Sequence, residues 1–427
     1  MFTFSVLSDF KSFDYSEVDL GPFTLVLGAN AAGKTNLRDA FRFLHGISRG
    51  YTLAEIIGEK WIEGGVMQWA GIRGGAREVV HYGEADFSIT VVNIEREGQK
   101  RRGFAYALGA ELEDRVVRVG IEFLQTLNGK REFFITHDLD SGEAVSESDV
   151  YHTSAKVYQQ QRGRDPIRTF LSDRPILTQI AQRGDVQKTV RDTAKATIEA
   201  LSSMRFLDLS PDAMRRPSLP GQTILSDRGE NLASVLLSMY QDENLREAML
   251  EWIRALTPMD VHDLDFAEDA TGRVILQLME ANGHKTSVYS ASDGTLRLLG
   301  LIAALLSPHA ARFYFIEELE VGIHPARLHL LVDLIEQQTR RKERPIQVIA
   351  TTHSPSLLRL LSEQTLNDAL LIYRPEGGAS EVVKIVDVPG IQDHLDDVGQ
   401  LHESEWFENI MAFSGDGAAA SVETPEL

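Results

Sequence analysis

The sequence predicts an α/β fold with an antiparallel β-subdomain, a short helical insertion and no long coiled coil. Three stretches carry that expectation. "GPFTLVLGANAAGKTNLRDAFRFL" (21–44) sets an apolar strand, a glycine-bearing loop and an amphipathic helix in succession. From about 78 to 138 short segments alternate apolar and polar residues between turn residues, the pattern of antiparallel strands. "FYFIEELEVGIHP" (313–325) is an apolar run that stops abruptly at Glu317 and Glu318, with a third acid at Glu320. Carboxylates at the end of a buried strand are costly unless something compensates them.

Taken in chain order, MFTFSVLSDF reads as a first strand, because it lacks the basic start and small-residue cleavage site of a leader. Phe23 to Leu27 is the next strand. It enters Gly28-Ala-Asn-Ala-Ala-Gly33-Lys34-Thr35, and a helix follows with Leu37, Ala40, Phe41 and Leu44 on its apolar face. This is G-x-x-x-x-G-K-[ST] between a strand and a helix, a phosphate-binding loop. Glycines at 28 and 33 let successive N–H groups face one anion, and the helix N-terminus adds partial positive charge. Lys34 reaches β- and γ-phosphates and Thr35 holds Mg²⁺, so the ligands implied are ATP and Mg²⁺. Asn30 and Asn36 belong to the same nucleotide-binding loop.

Beyond the loop, REVVHYG, DFSITVVNIER, GFAYALGAELED, RVVRVGIEFL and REFFITHD read as strands, and a Ser/Glu/Asp-rich loop covers 140–150. Residues 175–204 and 230–257 read as amphipathic helices joined by a long connection at 211–229. Two strands near 261–289 lead to "YSASDGTLRLLGLIAALLSP", a helix apolar on most sides whose start, Ser292-Asp293-Gly294-Thr295, offers an N-cap and free N–H groups. Phe313–Ile316 is then a strand. Glu317 is assigned to the metal shell and Glu318 to the attacking water. In "IQVIATTHSPSLL" Val348–Ala350 is a short buried strand, with His353 beyond its end able to serve a γ-phosphate or water. LIYRPEGGASEVVKI suggests a hairpin, 402–413 an acidic helix, and a polar tail starts at Ser414. The organisation expected is an N-terminal lobe (1–150), a helical insertion (151–257), a C-terminal lobe (258–413) and a tail (414–427).

Five segments, DFKSF (9–13), GANAAGKTN (28–36), SDGTLR (292–297), FIEELEVGIHP (315–325) and TTHSP (351–355), together resemble the SMC/RecF-like branch of ABC-type ATPases. They are closest to small stand-alone ATPases related to the ATPase part of OLD-family proteins. The resemblance implies a P-loop ABC-type ATPase head that dimerises on ATP. The nucleotide lies between the P-loop of one copy and the Ser292–Gly294 signature of the other, flanked by Glu318 and His353, with Lys11 and Ser12 nearby. Three positions depart from the pattern. Glu317 stands where aspartate is common, Leu319 replaces the usual proline, and the Q-loop residue is open between Gln159–Gln161 and the segment around Asp173.

Composition narrows the partners. With 427 residues, 43% of them hydrophobic and 25% charged, the chain suits a soluble globular protein of two or three lobes. No apolar run is long enough for a membrane span. The absence of cysteine excludes disulfides and thiolate chemistry and fits a cytoplasmic protein. A net charge of −20 argues against coating nucleic acid with the whole surface, although a local groove remains compatible. The basic runs at 101–102, 215–216 and 340–344 read as solvated faces. The function expected by resemblance is an ATPase of DNA maintenance or anti-phage defence. Its partners would be a second copy or a higher homo-oligomer, a separate nuclease or effector protein, and DNA as a candidate. About 70 residues follow the histidine segment (346–358), too few for a nuclease domain, and Asp396-Asp397 lacks a companion acidic motif. The alternatives are a nucleotide-gated scaffold with negligible turnover and a transporter ATPase subunit.

Overall fold

The computed structural model describes residues 1–97, 100–113, 116–127, 129, 131–136, 151–159, 165–257, 261–375, 378–391 and 406–407. The described residues form two compact units. The first contains Met1–Gly21, Gly28–Met204 and Leu371–Val383; the second contains Pro22–Leu27, Arg205–Leu370 and the described residues from Lys384 on.

The first unit is built on an eight-stranded sheet. Its order is Ile167–Leu171, His152–Val157, Glu132–Thr136, Val116–Thr126, Lys100–Glu113, Asp86–Glu97, Phe2–Phe10 and Phe13–Asp19. Neighbours are antiparallel throughout. The β-subdomain expected at 78–138 is thus larger than the sequence suggested, gaining the N-terminal hairpin on one side and two strands on the other. Those two strands lie in the N-terminal part of the stretch expected as a helical insertion (151–257), before its helices. HTSAKV is short and largely polar and IRTFL is only five residues long; Ala155–Val157 pairs with the open side of Glu132–Thr136, and Ile167–Leu171 pairs with His152–Lys156. REVVHYG is also corrected: it holds the end of a short helix, Gly75–Glu78, and one isolated bridge from Val80 to Phe10.

The helical segments form as pairs. Residues 175–204 give Ile176–Ile180 and Lys188–Ser202 in the first unit; 230–257 give Leu232–Tyr240 and Glu243–Leu256 in the second. The second break falls at Asp242, whose carboxylate accepts from the N–H groups of Asn244 and Leu245 and so starts a new helix. Among the described residues the longest helices have 15 residues, Lys34–Ser48 and Lys188–Ser202. None is long and apolar enough to cross a membrane.

The core of the second unit is parallel. Phe313–Ile316 pairs with Gln347–Thr352, which pairs with Phe23–Leu27, and all fifteen residues are buried. Burial on both faces explains why these strands are mostly apolar, with Thr24, Gln347, Thr351 and Thr352 as buried polar exceptions. Met204–Leu207 lies beyond Phe313–Ile316. A separate antiparallel sheet holds Val261–Glu268, Val274–Glu280 and a third strand, Lys285–Ser287. LIYRPEGGASEVVKI does supply two neighbouring strands, Leu370–Tyr373 and Glu381–Lys384. The loop at 140–150, Asp396-Asp397 and the tail from Ser414 lie outside the described residues, as do Gln160, Gln161 and all but Trp406 and Phe407 of the expected helix at 402–413.

Candidate functional site

The phosphate loop leaves the strand Phe23–Leu27 and belongs to the first unit. Gly28 has no room for a side chain: a Cβ there would collide with the carbonyl oxygen of Ile372. Gly33 sits at φ 120°, a backbone state that other residues rarely adopt. The helix Lys34–Ser48 then starts with no side-chain cap and no acid in its first turn. An uncapped N-terminus without nearby carboxylates suits an anion. Lys34 is buried, and its ammonium donates to the carbonyls of Gly28 (2.6 Å) and Ala29 (2.9 Å), curling over the loop it belongs to. Asn30 is exposed, while Thr35 and Asn36 are half-buried.

Lys11 and Ser12 reach the same place from the turn between the first two strands. Lys11 has φ 55° and forms a buried ion pair with Asp39, on the phosphate-loop helix. Ser12 Oγ accepts from Asn36 Nδ2 at 2.7 Å. Ser380, which no sequence motif marks, meets both Ser12 and the loop through its hydroxyl. Only the fold could have found it, since 368 residues separate it from Ser12.

The acids and the histidine lie in the second unit. Glu317 follows the buried strand end, and Glu318 turns the chain with φ 52°, a left-handed state that is strained for a glutamate. Two hydrogen bonds hold the turn. The Glu318 N–H donates to Thr351 Oγ1 at 3.0 Å, and the Leu319 N–H donates to the Thr351 carbonyl at 3.0 Å. The second bond accounts for the departure at Leu319, because proline has no N–H to give. His353 Nε2 lies 3.5 Å from Glu318 Oε1, so the two residues expected at a γ-phosphate touch each other. Glu320, unassigned from sequence, accepts the His353 main-chain N–H at 2.8 Å and thereby fixes the histidine loop.

The strand ends line up. Ile316 is in register with Ala350, Ala350 with Leu25, and Thr352 with Leu27. Glu317 and His353 therefore follow the carboxyl ends of one parallel sheet in the second unit.

Ser292 and Gly294 have work within their own chain. Ser292 caps the helix Asp293–Leu306, accepting from the Thr295 N–H at 3.2 Å. A Cβ at Gly294 would collide with the carbonyl oxygen of Gly322, in the loop after the acids. Arg215 ties the same helix start by donating to Asp293 (2.7 Å) and to the Ala291 carbonyl (2.9 Å).

A phosphate loop between a buried parallel strand and an uncapped helix defines a P-loop nucleotide-binding protein of α/β class. Residues 23–359 match the family described as "AAA domain, putative AbiEii toxin, Type IV TA system", and the chain belongs to that family. No curated protein matches the sequence. Among solved structures the chain is similar to the SMC head domain from Thermotoga maritima (12% identity, 90% of this chain and 98% of that one, TM-score 0.41). It is also similar to an Smc head bound to the C-terminal winged-helix domain of ScpA (12% identity, 90% and 97%, TM-score 0.45). A third is an Smc head with an extended coiled coil bound to the C-terminal domain of ScpA from Pyrococcus furiosus (12% identity, 92% and 99%, TM-score 0.44). Family membership rests on the sequence match.

Proposed function

We propose that the protein binds ATP with Mg²⁺ at the phosphate loop, hydrolyses it to ADP and phosphate, and dimerises when ATP is bound. The observation that carries this reading is the Glu318–His353 pair, leaving the same sheet edge as the strand that enters the phosphate loop. In this reading Lys34 exchanges the Gly28 and Ala29 carbonyls for β- and γ-phosphate oxygens. Asn30, Gly33 and Asn36 line the phosphates, and Lys11 and Ser12 border them. Glu318 orients the attacking water and accepts its proton, while His353 hydrogen-bonds the terminal phosphate. Among the described residues no group of three or more acids or histidines could hold a metal ion by itself. A hydroxyl and a carboxylate are hard oxygen donors of the kind Mg²⁺ takes alongside phosphates, so Thr35 and Glu317 would hold it. Bound Mg²⁺ supplies neutralisation of the charge on the phosphate oxygens.

Ser292 and Gly294 of one copy then face the phosphate loop of the other, and closing of the pair is the mechanical output. The family description names a toxin of a type IV toxin–antitoxin system, which supports a role in defence over one in DNA maintenance. The partner would be a separate nuclease or effector protein. The test is oligomeric state by light scattering with and without ATP. Wild type and Glu318→Gln become dimeric with saturating MgATP, the variant persistently, and Lys34→Ala stays as it is without nucleotide. A Glu318→Gln protein that binds ATP yet gains no mass contradicts the dimer.

A further inference from the structure

Among the described residues of the first unit, Ser380 is a buried polar residue that touches the phosphate loop and has no role in the proposed reaction. Ser380 is 1% exposed. Its main-chain N–H donates to the Ser12 carbonyl at 2.6 Å, and its carbonyl accepts from Ser16 Oγ at 3.3 Å, so the residue is held from both sides. Its hydroxyl oxygen lies 2.6 Å from the Ala32 carbonyl oxygen and 2.7 Å from Ser12 Oγ.

Counting protons gives this network a direction. The Ala32 carbonyl can only accept, so the single Ser380 hydroxyl proton goes to it. Ser12 Oγ, which accepts from Asn36 Nδ2, is a second acceptor within reach of the same hydroxyl. Asn36, Ser12, Ser380 and the loop carbonyl thus form one connected network.

That carbonyl sits in the most strained part of the loop. Ala31 has φ 61° and Gly33 has φ 120°, one on each side of Ala32. Left-handed backbone at a non-glycine residue is strained and persists only when its surroundings fix it. In a planar trans peptide the C=O and the following N–H point opposite ways. Holding the Ala32 carbonyl toward Ser380 therefore turns the Gly33 N–H away from Ser380, freeing it for an anion. The same packing leaves Gly33 no alternative, since a Cβ there would lie 2.6 Å from Ser380 Oγ and 3.0 Å from Ser12 Oγ.

We propose that Ser380 is a positioning residue for phosphate binding: its hydroxyl locks the Ala32–Gly33 peptide in the orientation that presents the Gly33 N–H to the nucleotide. The inference rests on the reading of the loop as an ATP site. Because the Ser380 proton is spent on Ala32, the residue acts through the loop and not on the reacting phosphate. Its loss weakens ATP and ADP alike and leaves turnover at saturation unchanged.

The experiment compares Ser380→Thr with Ser380→Val, which share a shape and differ in the hydroxyl. MgATP and MgADP affinities are measured by calorimetric titration, and KM and kcat are measured alongside. The expected result is that Thr binds both nucleotides about tenfold more tightly than Val, the worth of one hydrogen bond. KM follows the affinities and kcat changes by less than about twofold. Equal affinities in the two variants, whether tight or absent, overturn the proposal. Wild-type protein that binds no ATP overturns the ATP site itself, a failure distinct from wild type binding while Thr and Val behave alike.

Discussion

Lys34, Ser12 and Ser380 at the phosphate loop are each bonded to neighbouring loop or turn atoms within the first unit. At the acidic strand end, in contrast, Glu318 has a side chain 51% exposed and one 3.5 Å contact to His353. The two regions are ordered by different parts of the chain. Around the loop, side chains hold the backbone in place. At the acids, backbone N–H groups of Glu318, Leu319 and His353 hold the turn, using Thr351 and Glu320 as acceptors. The Glu318 side chain itself is not used to hold the turn.

The largest expected effect breaks the second region. Gly294→Ala puts a methyl group onto the Gly322 carbonyl, and backbone on both sides cannot yield cheaply. Overpacking of this kind costs about 3 kcal/mol, read as a drop in the denaturation midpoint. Gly184→Ala, at a position with open space and ordinary φ, is the control and changes stability by less than about 1 kcal/mol. Equal, small effects at both positions would mean that the helix start is not packed on the acidic loop.

A comparable effect, spread over pH, sharpens the picture of the first region. Glu122 is fully buried there and accepts from the N–H groups of Ile176 (2.6 Å) and Leu177 (2.8 Å) and from the Tyr106 hydroxyl (3.0 Å). Burial outweighs these bonds and pushes its carboxyl up to about 7 from the ordinary 4.5. The folded state then holds a proton that the unfolded state has released. The stabilisation is complete below about 4.5 and is lost as pH rises through about 7, roughly 3 kcal/mol in all. Urea denaturation from pH 4.5 to 8 should show this fall in wild type and a flatter profile in Glu122→Gln. Identical profiles would remove Glu122 as the cause.

The strands Phe23–Leu27 and Phe313–Ile316 were legible to the residue, because Gly21-Pro22 and Gly28 bound the first and Glu317 ends the second. Ser292 was legible as a cap because capping is local. The strands His152–Val157 and Ile167–Leu171 were not: their pattern is weak, and their conformation comes from a neighbour that the sequence does not reveal. The same distinction divides the site. Lys34, Thr35 and the acids announce themselves by spacing, whereas Ser380 and Glu320 act through contacts across 348 and 33 residues that only the folded chain brings together.

The central claim is that Glu318 acts on a nucleotide held by the phosphate loop, and release of phosphate from ATP under single-turnover conditions tests it most directly. Glu318→Gln is expected to bind MgATP as tightly as wild type and to release phosphate at least about a hundredfold more slowly, the usual scale for losing a general base. Release at the wild-type rate by a protein with full ATP occupancy would contradict the account.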